Sequence, residues 1–395
     1  MVHNSKNPPA DRDAEPPVGT RPRVLLLVSE DRFFWSHRLS IARAAQRGGY
    51  EVIVATKVSR YGQEIRDEGF RLIPLRLVRN NSSLLDEWRA LQELRRIYKT
   101  EKPHIVHHFA VKPVLYGSIA ALRRKEVQAI DALTGLGYLV ASSSIRARFW
   151  RPIIWNALRY LLNRPGHHII LQNDEDRELL VKKLSVPPDR ITVIRGSGVD
   201  VEAFQPTPEP TSIFTVVLAS RMLWIKGIQE FVEAAGLLLN RNLIARFILV
   251  GDSDSRNPSC VPREQLIKWQ ESGVVEWWGQ RENIGQIFEK SNLVCLPSHG
   301  GEGVPKVLLE AAASGRAIVT TDVPGCRDIV RDGINGLLVP RKDPAALARA
   351  ILQLANNSEL RRQMALRGRE IVVQEFSEDV VINQTLALYR RLLEL

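Results

Sequence analysis

The chain has 395 residues, 44% of them hydrophobic and 25% charged, with a formal net charge of +11 and 3 cysteines. At about 100–200 residues per domain this suggests two domains; the apolar fraction excludes wholesale disorder, and the widely spaced Cys260, Cys295 and Cys326 exclude a disulfide framework or a CxxC zinc site and fit a reducing compartment. Residues 1–200 hold 33 Lys and Arg against 21 Asp and Glu, while residues 201–395 hold 22 against 23, so the basic first half is expected to meet an anionic surface.

Residues 1–20 are polar and Pro-rich, which predicts a disordered tail, and they lack the apolar core of a secretory signal. No uncharged apolar run reaches the roughly 18 residues of a membrane span. A soluble, cytoplasmic protein is expected. Strands then follow at Arg23–Val28, Glu51–Thr56, Arg71–Leu75, Ile105–Phe109, Ala129–Leu133, His167–Gln172 and Ile191–Arg195, with helical patterns over Ser36–Gly48 and around Leu84–Lys99. Continuously apolar strands separated by helices indicate a parallel sheet covered on both faces.

Ile145–Arg164 (IRARFWRPIIWNALRYLLNR) carries five arginines and four aromatics, and no acidic residue occurs between Asp131 and Asp174. Arg146, Arg148, Trp150, Arg151 and Trp155 at helical spacing suit an anionic membrane surface. The alternative is a core-facing helix with a solvated basic face. No zinc knuckle, RNP-like strand or helix-turn-helix points to nucleic acid.

Gln205–Ser212 (QPTPEPTS) has three prolines and no apolar residue, and reads as a linker. Strands resume at Thr215–Ser220, Arg246–Gly251, Val274–Gly279, Leu293–Ser298, Ala317–Asp322 and Gly336–Pro340, and the rest is helical. The expected fold is α/β: two doubly wound Rossmann-like domains, over 21–204 and 213–375, facing a cleft. Residues 376–395 are expected to form a helix packing back on the first domain. Ligands in such sheets bind beyond the C-terminal strand ends.

The most informative segment is SHGGEGVPKVLLEAAASG, Ser298–Gly315. A strand ends, a Gly-rich loop follows, and Pro305 stands where a helix begins. Free N–H groups there suit phosphate. Glu302 lies in the loop and Glu310 eight residues on, inside the helix. Carboxylates there could accept hydrogen bonds from sugar and ribose hydroxyls. Spacing alone favours reading Glu310 as an exposed helix glutamate.

The run E-G-V-P-K-x-L-L-E, an E-x7-E motif, resembles that of the retaining GT4 glycosyltransferases of the GT-B fold. Arg221, with Lys226 five residues later, matches the family's pair of cations. The order of elements matches over residues 21–395. The resemblance implies that Arg221 and Lys226 hold a nucleotide diphosphate, Glu302 contacts the donor sugar and Glu310 the ribose. It further implies that Gly303, Val304 and Lys306 line the donor site. The loop Gly279–Ile284, with Arg281, falls where the family stacks its base. His37 matches a cleft histidine at the head of the first helix, with a capping or surface histidine as the alternative. A Gly-Gly turn usual near that point is missing.

His107, His108 and Lys112, then Thr134 and Gly135, then Asn173, end or follow first-domain strands and are expected to form the acceptor side of the cleft. The combination F-F-x-S-H-R, K-P-x-x-Y-G, T-G-L-G-Y and Q-N-D resembles GT4 enzymes that extend glycans on undecaprenyl diphosphate, including the PglA-like N-acetylgalactosaminyltransferases. Asp252-Ser-Asp254 matches a metal-binding DxD, but it follows a strand of a second α/β domain. No metal and no cofactor are expected. The implied reaction is transfer from a UDP-sugar to a lipid-linked glycan, by front-face displacement with retention, at the inner face of the membrane. The rivals are a GT-B-fold nucleotide-sugar epimerase and a non-catalytic membrane-associated scaffold.

Overall fold

The computed structural model describes residues 21–76, 83–124, 126–135, 145–253, 257, 259–301 and 303–394, with the backbone alone at 84 and 145–150. The N-terminal tail lies outside the described residues.

Among the described residues the first domain holds one parallel sheet of seven strands: β1 (Arg23–Glu30), β2 (Glu51–Lys57), β3 (Arg71–Pro74), β4 (Ile105–Phe109), β5 (Gln128–Leu133), β6 (His167–Leu171) and β7 (Ile191–Val193). Their order is β3-β2-β1-β4-β5-β6-β7. Leu25 of β1 lies opposite Ile53 of β2 and Val106 of β4. All three are fully buried, as strands covered by helices on both faces require. The second domain repeats the scheme with β8 (Phe214–Ala219), β9 (Ala245–Val250), β10 (Glu276–Trp277), β11 (Leu293–Leu296), β12 (Ala317–Thr321) and β13 (Gly336–Val339), in the order β10-β9-β8-β11-β12-β13.

Each sheet reverses its winding beside its first strand, between β1 and β4 and between β8 and β11. The loops leaving those strands diverge there and open a crevice. The crevices receive the turns after Glu30, Phe109, Ala219 and Leu296, which carry most of the residues singled out above.

The helix expected over Ser36–Gly48 starts earlier and is broken. One helix spans Asp31–His37, Arg38 interrupts it, and a second spans Leu39–Arg47. Asp31 sets the early start. Its buried carboxylate accepts from the Ser59, Arg60 and Tyr61 amides at 2.6, 2.7 and 2.9 Å and from the Ser59 hydroxyl. These charge-assisted bonds tie the β1 and β2 loops together. The expected strand Val274–Gly279 contracts to Glu276–Trp277.

The segment 205–212 is not a free tether. Arg316, 1% exposed, donates to the Thr207 carbonyl and hydroxyl, both at 2.6 Å, and Arg361 pairs with Glu209 at 2.7 Å. The last helix, Glu378–Leu393, leaves the second domain where Val199 exchanges backbone bonds with Phe376 and Glu378, each 3.0 Å. Its Val381, Leu386, Leu388 and Tyr389 then join the first-domain core around Val24 and Leu26. Burying each such side chain stabilises by about 1.5–3 kcal/mol, which fastens the two domains through their shared C-terminus.

Candidate active site

The second-domain half is built on two loops. Arg221 follows β8, and Lys226 ends a short 3-10 turn, Trp224–Lys226. Gly227 closes that turn at φ 74°, and a Cβ there would lie 2.0 Å from the Pro297 carbonyl. Only glycine permits this approach. The β11 loop is bound to the same turn, since the His299 amide donates to the Ile225 carbonyl at 2.8 Å and His299 Nε2 meets Glu230 Oε1 at 2.9 Å. Both cations therefore sit on a braced platform beside the Gly-rich loop. Glu302 lies outside the described residues.

The helix Lys306–Ala313 follows, with Pro305 at its N-cap. Its first turn carries half-buried Lys306, and Glu310 lies one turn further along. Burial pushes the Glu310 carboxyl up to about 7, against the opposing pull of Lys306.

Contacts cross the cleft beside this helix. The Gly303 amide donates to the Thr134 carbonyl at 3.1 Å, and the Val304 amide to Gln172 Oε1 at 3.0 Å. Lys306 Nζ donates to the Ser36 carbonyl at 2.7 Å, and Arg60 pairs with Glu282 at 2.8 Å. His37 stands within the field of cations from both domains. Burial, then Arg38, Lys306 and Arg221, hold its imidazole down to about 3, so it is neutral at pH 7. Lys306 thus comes to the turn that holds His37. Ala110, at the turn after β4, adopts φ 77° and ψ 164°. A side-chain-bearing residue pays strain of about 1–3 kcal/mol there, a pattern that clusters at functional sites.

The remaining expected residues fall as follows. Gly279 accepts the Gly251 amide at 2.8 Å, and Arg281 is exposed beside Glu282 on a loop that faces the first domain. Thr134 and Gly135 follow β5, and the Thr134 carbonyl meets the Gly303 amide across the cleft. Asn173 is turned to another task, capping the helix Asp174–Leu184 with its side chain 2.7 Å from the Asp176 amide. Lys112 is tied to Glu87 at 2.7 Å.

The paired histidines separate. Alternation along β4 sends His107 to the face of Ile105 and Phe109, and His108 to the opposite face. His108 does not reach the cleft. It is fully buried, with Nδ1 2.7 Å from Asp131 Oδ1 and Nε2 2.9 Å from the Tyr98 hydroxyl.

On the helix Ile145–Leu162, Arg146, Arg148 and Trp150 have backbone described only. Arg151 is half-buried. Trp155 packs against the core of Leu158 and Leu162 instead of facing outward. The outward side shows Ile153, Arg159 and Tyr160. Asp252 lies 3.7 Å from Arg263, and Asp254 is outside the described residues. The sequence alone does not single out Gln172 or the His299–Glu230 brace. The one available signal was that Gln172 ends an apolar strand at the cleft edge.

Two Rossmann-like domains facing a cleft, with paired cations and a Gly-rich loop on one wall, form the architecture of the GT-B glycosyltransferases. The Glycosyl transferases group 1 model matches residues 213–357 and the Glycosyl transferase 4-like model matches residues 23–173. The chain belongs to the GT4-like glycosyltransferases and is an enzyme of that class. It is 28% identical over 385 residues to the N,N'-diacetylbacillosaminyl-diphospho-undecaprenol alpha-1,3-N-acetylgalactosaminyltransferase of Campylobacter jejuni, covering 94% of this chain and 99% of that one. It is 24% identical to the UDP-Gal:alpha-D-GlcNAc-diphosphoundecaprenol alpha-1,3-galactosyltransferase of Escherichia coli, over 80% of this chain and 86% of that one. Among solved structures, a sucrose-phosphate synthase from Thermosynechococcus elongatus superposes with TM-score 0.79 at 19% identity, covering 95% of this chain and 100% of that one. Anabaena Alr3699/HepE in complex with UDP and glucose gives 0.76 at 17%, covering 93% and 98%. These two likenesses concern the fold.

Proposed function

We propose that this enzyme moves a hexose or N-acetylhexosamine from a UDP-sugar to an undecaprenyl-diphosphate-linked glycan, with retention and without a metal. The carrying observation is the Lys306 Nζ bond to the Ser36 carbonyl at 2.7 Å, which joins the helix after the Gly-rich loop to the first-domain turn that holds His37. Arg221 and Lys226 neutralise the diphosphate as its charge grows. The bond from the sugar's anomeric carbon to the diphosphate breaks while the bond to the acceptor oxygen forms on the same face. The acceptor's proton passes to the departing phosphate oxygen. His37 is neutral at pH 7 and so adds no positive charge to the site. Glu310, low in its helix, accepts from the ribose hydroxyls.

Work at the inner face of an anionic membrane is supported by the basic excess of residues 1–200 and by exposed Ile153, Arg159 and Tyr160 on one helix. Among the described residues, no helix is long and apolar enough to cross a membrane.

The test is nucleoside-diphosphate release from a panel of nucleotide sugars, with and without a bacterial lipid extract, in EDTA, with Glu310→Ala as control. Release from a UDP-sugar that depends on lipid and is lost in the variant is expected. Lipid-independent release, or release abolished by EDTA, would overturn the acceptor or the metal-free step respectively.

A further inference from the structure

Arg38 breaks the first helix pair and turns its side chain inward, where it is 8% exposed. Its guanidinium lies over the Phe109 ring at 4.3 Å. Among the described residues it has no carboxylate partner and no hydrogen-bond acceptor. A buried cation without a counter-charge is costly, and the contact with Phe109 offsets only part of that.

The guanidinium lines a cavity of about 20 Å³ together with His107, Thr134, Gln172 and Thr385. His107 Nδ1 is bonded to the Tyr389 hydroxyl at 2.7 Å, while its Nε2 is buried with no partner. In the tautomer where the tyrosine donates to Nδ1, Nε2 carries the proton and is left without an acceptor. No acidic side chain lines the space. The walls therefore present a fixed positive charge and a buried unpartnered nitrogen, with no carboxylate to receive them. Thr134 and Gln172 also accept the Gly303 and Val304 amides, so the cavity borders the cleft directly beneath the Gly-rich loop.

We propose that Arg38 and His107 form an oxyanion subsite filled by one phosphoryl oxygen of the acceptor's diphosphate. This rests on the lipid-diphosphate acceptor proposed above. The volume admits a single oxygen-sized group, since roughly 10–15 Å³ suffices for one. The nucleotide's own diphosphate has the same chemistry, but Arg221 and Lys226 on the opposite wall already serve it. Arg38 stands on the first domain, whose strand ends form the other wall.

The probe is inorganic pyrophosphate, titrated calorimetrically into the full chain saturated with UDP. Wild type should bind pyrophosphate in addition to UDP. Arg38→Met should weaken that binding by at least about thirtyfold, leave UDP binding intact, and melt at or above wild type without ligand, because it removes an uncompensated charge. In steady state it should raise the KM for a prenyl-diphosphate-linked sugar and leave the KM for the UDP-sugar within about twofold. Arg38→Lys, which keeps the charge, should recover part of the pyrophosphate affinity. Pyrophosphate that only competes with UDP, or that binds Arg38→Met as tightly as wild type, overturns the subsite. So does an Arg38→Met protein that melts well below wild type with unchanged pyrophosphate affinity, which would mark a packing role alone. Pyrophosphate binding through Arg38 in a protein that releases no nucleoside diphosphate from any donor would support the subsite and overturn the transferase reading.

Discussion

The Val304 amide reaches across the cleft to Gln172 Oε1 at 3.0 Å, and Gly303 makes this possible by having no side chain. A Cβ on Gly303 would lie 1.6 Å from that same oxygen and 2.9 Å from the Thr134 carbonyl. Alanine at 303 therefore has to expel the Gln172 side chain and shift the loop. Displacements of about 1 Å near reacting groups can cost up to 10²-fold in rate. Gly303→Ala is expected to lower kcat/KM by about 10–100-fold, and Gln172→Ala by less. The double variant should lose less than the product of the two, because both changes break one contact. Steady-state kinetics on the four proteins decides this, and fully independent losses would count against the shared contact.

Glu310 supplies a pH dependence with a definite sign. Burial raises its carboxyl to about 7 in the folded protein. The folded state then holds the proton more tightly than the unfolded chain. This contribution to stability is fully present below the ordinary value of 4.5 and is lost as pH rises through about 7. Ribose hydroxyls donating to the carboxylate favour its charged form. UDP binding near pH 7 should therefore release a proton, and affinity should climb as pH approaches and passes 7. Calorimetry in buffers of different ionisation enthalpy measures the release. Glu310→Gln should abolish the part due to this residue, while the part from the nucleotide's own phosphate persists.

Arg221 and Lys226 are expected to act on the transition state more than on the ground state. Arg221→Ala and Lys226→Ala should each reduce kcat by roughly 10²–10³-fold, the range for removing one stabiliser of developing charge. Arg221 also helps hold His37 down to about 3. Arg221→Ala should therefore raise the His37 titration midpoint, a change visible by NMR. An unmoved midpoint would place Arg221 too far away to share the site.

Much of this arrangement can be read from strand ends. Continuous apolar runs mark the two parallel sheets, and the winding reversal brings the turns after Glu30, Ala219 and Leu296 to facing edges. The E-x7-E spacing and the Arg221–Lys226 pair stand out because backbone periodicity and charge type are both local. What stays hidden is which neighbour a side chain finds. His107 and His108 are adjacent and chemically identical, yet the pleat sends one to the cavity and the other into a hydrogen-bonded core. Trp155 belongs to an interfacial-looking pattern but faces inward. Arg38 reads as an ordinary basic residue of an amphipathic helix, because its burial depends on Phe109 and on a helix more than 300 residues later.

The core reached by His108 carries the last prediction. Asp131 is fully buried and accepts from His108 Nδ1 and His167 Nδ1, each at 2.7 Å, and from the Ser118 hydroxyl at 2.9 Å. Burial acts to raise its carboxyl, but His167 and His108 outweigh that and hold it well below the usual carboxylate range. An acid depressed in the folded state contributes fully above its unfolded value of about 3.9, and the contribution is lost progressively as pH falls from there through the depressed folded value. Asn at 131 offers one acceptor where two histidine N–H groups converge, so one donor is left facing an amide. Asp131→Asn is expected to cost about 3–5 kcal/mol, as for breaking a buried charged pair. Tyr98→Phe removes only the hydroxyl at His108 Nε2 and should cost about 1–3 kcal/mol. Urea unfolding at pH 7 and at pH 3 separates the cases. The gap between wild type and Asp131→Asn should narrow at the lower pH, whereas the Tyr98→Phe gap should hold, and a gap for Asp131→Asn independent of pH would mean the carboxylate is not the charged centre of this network.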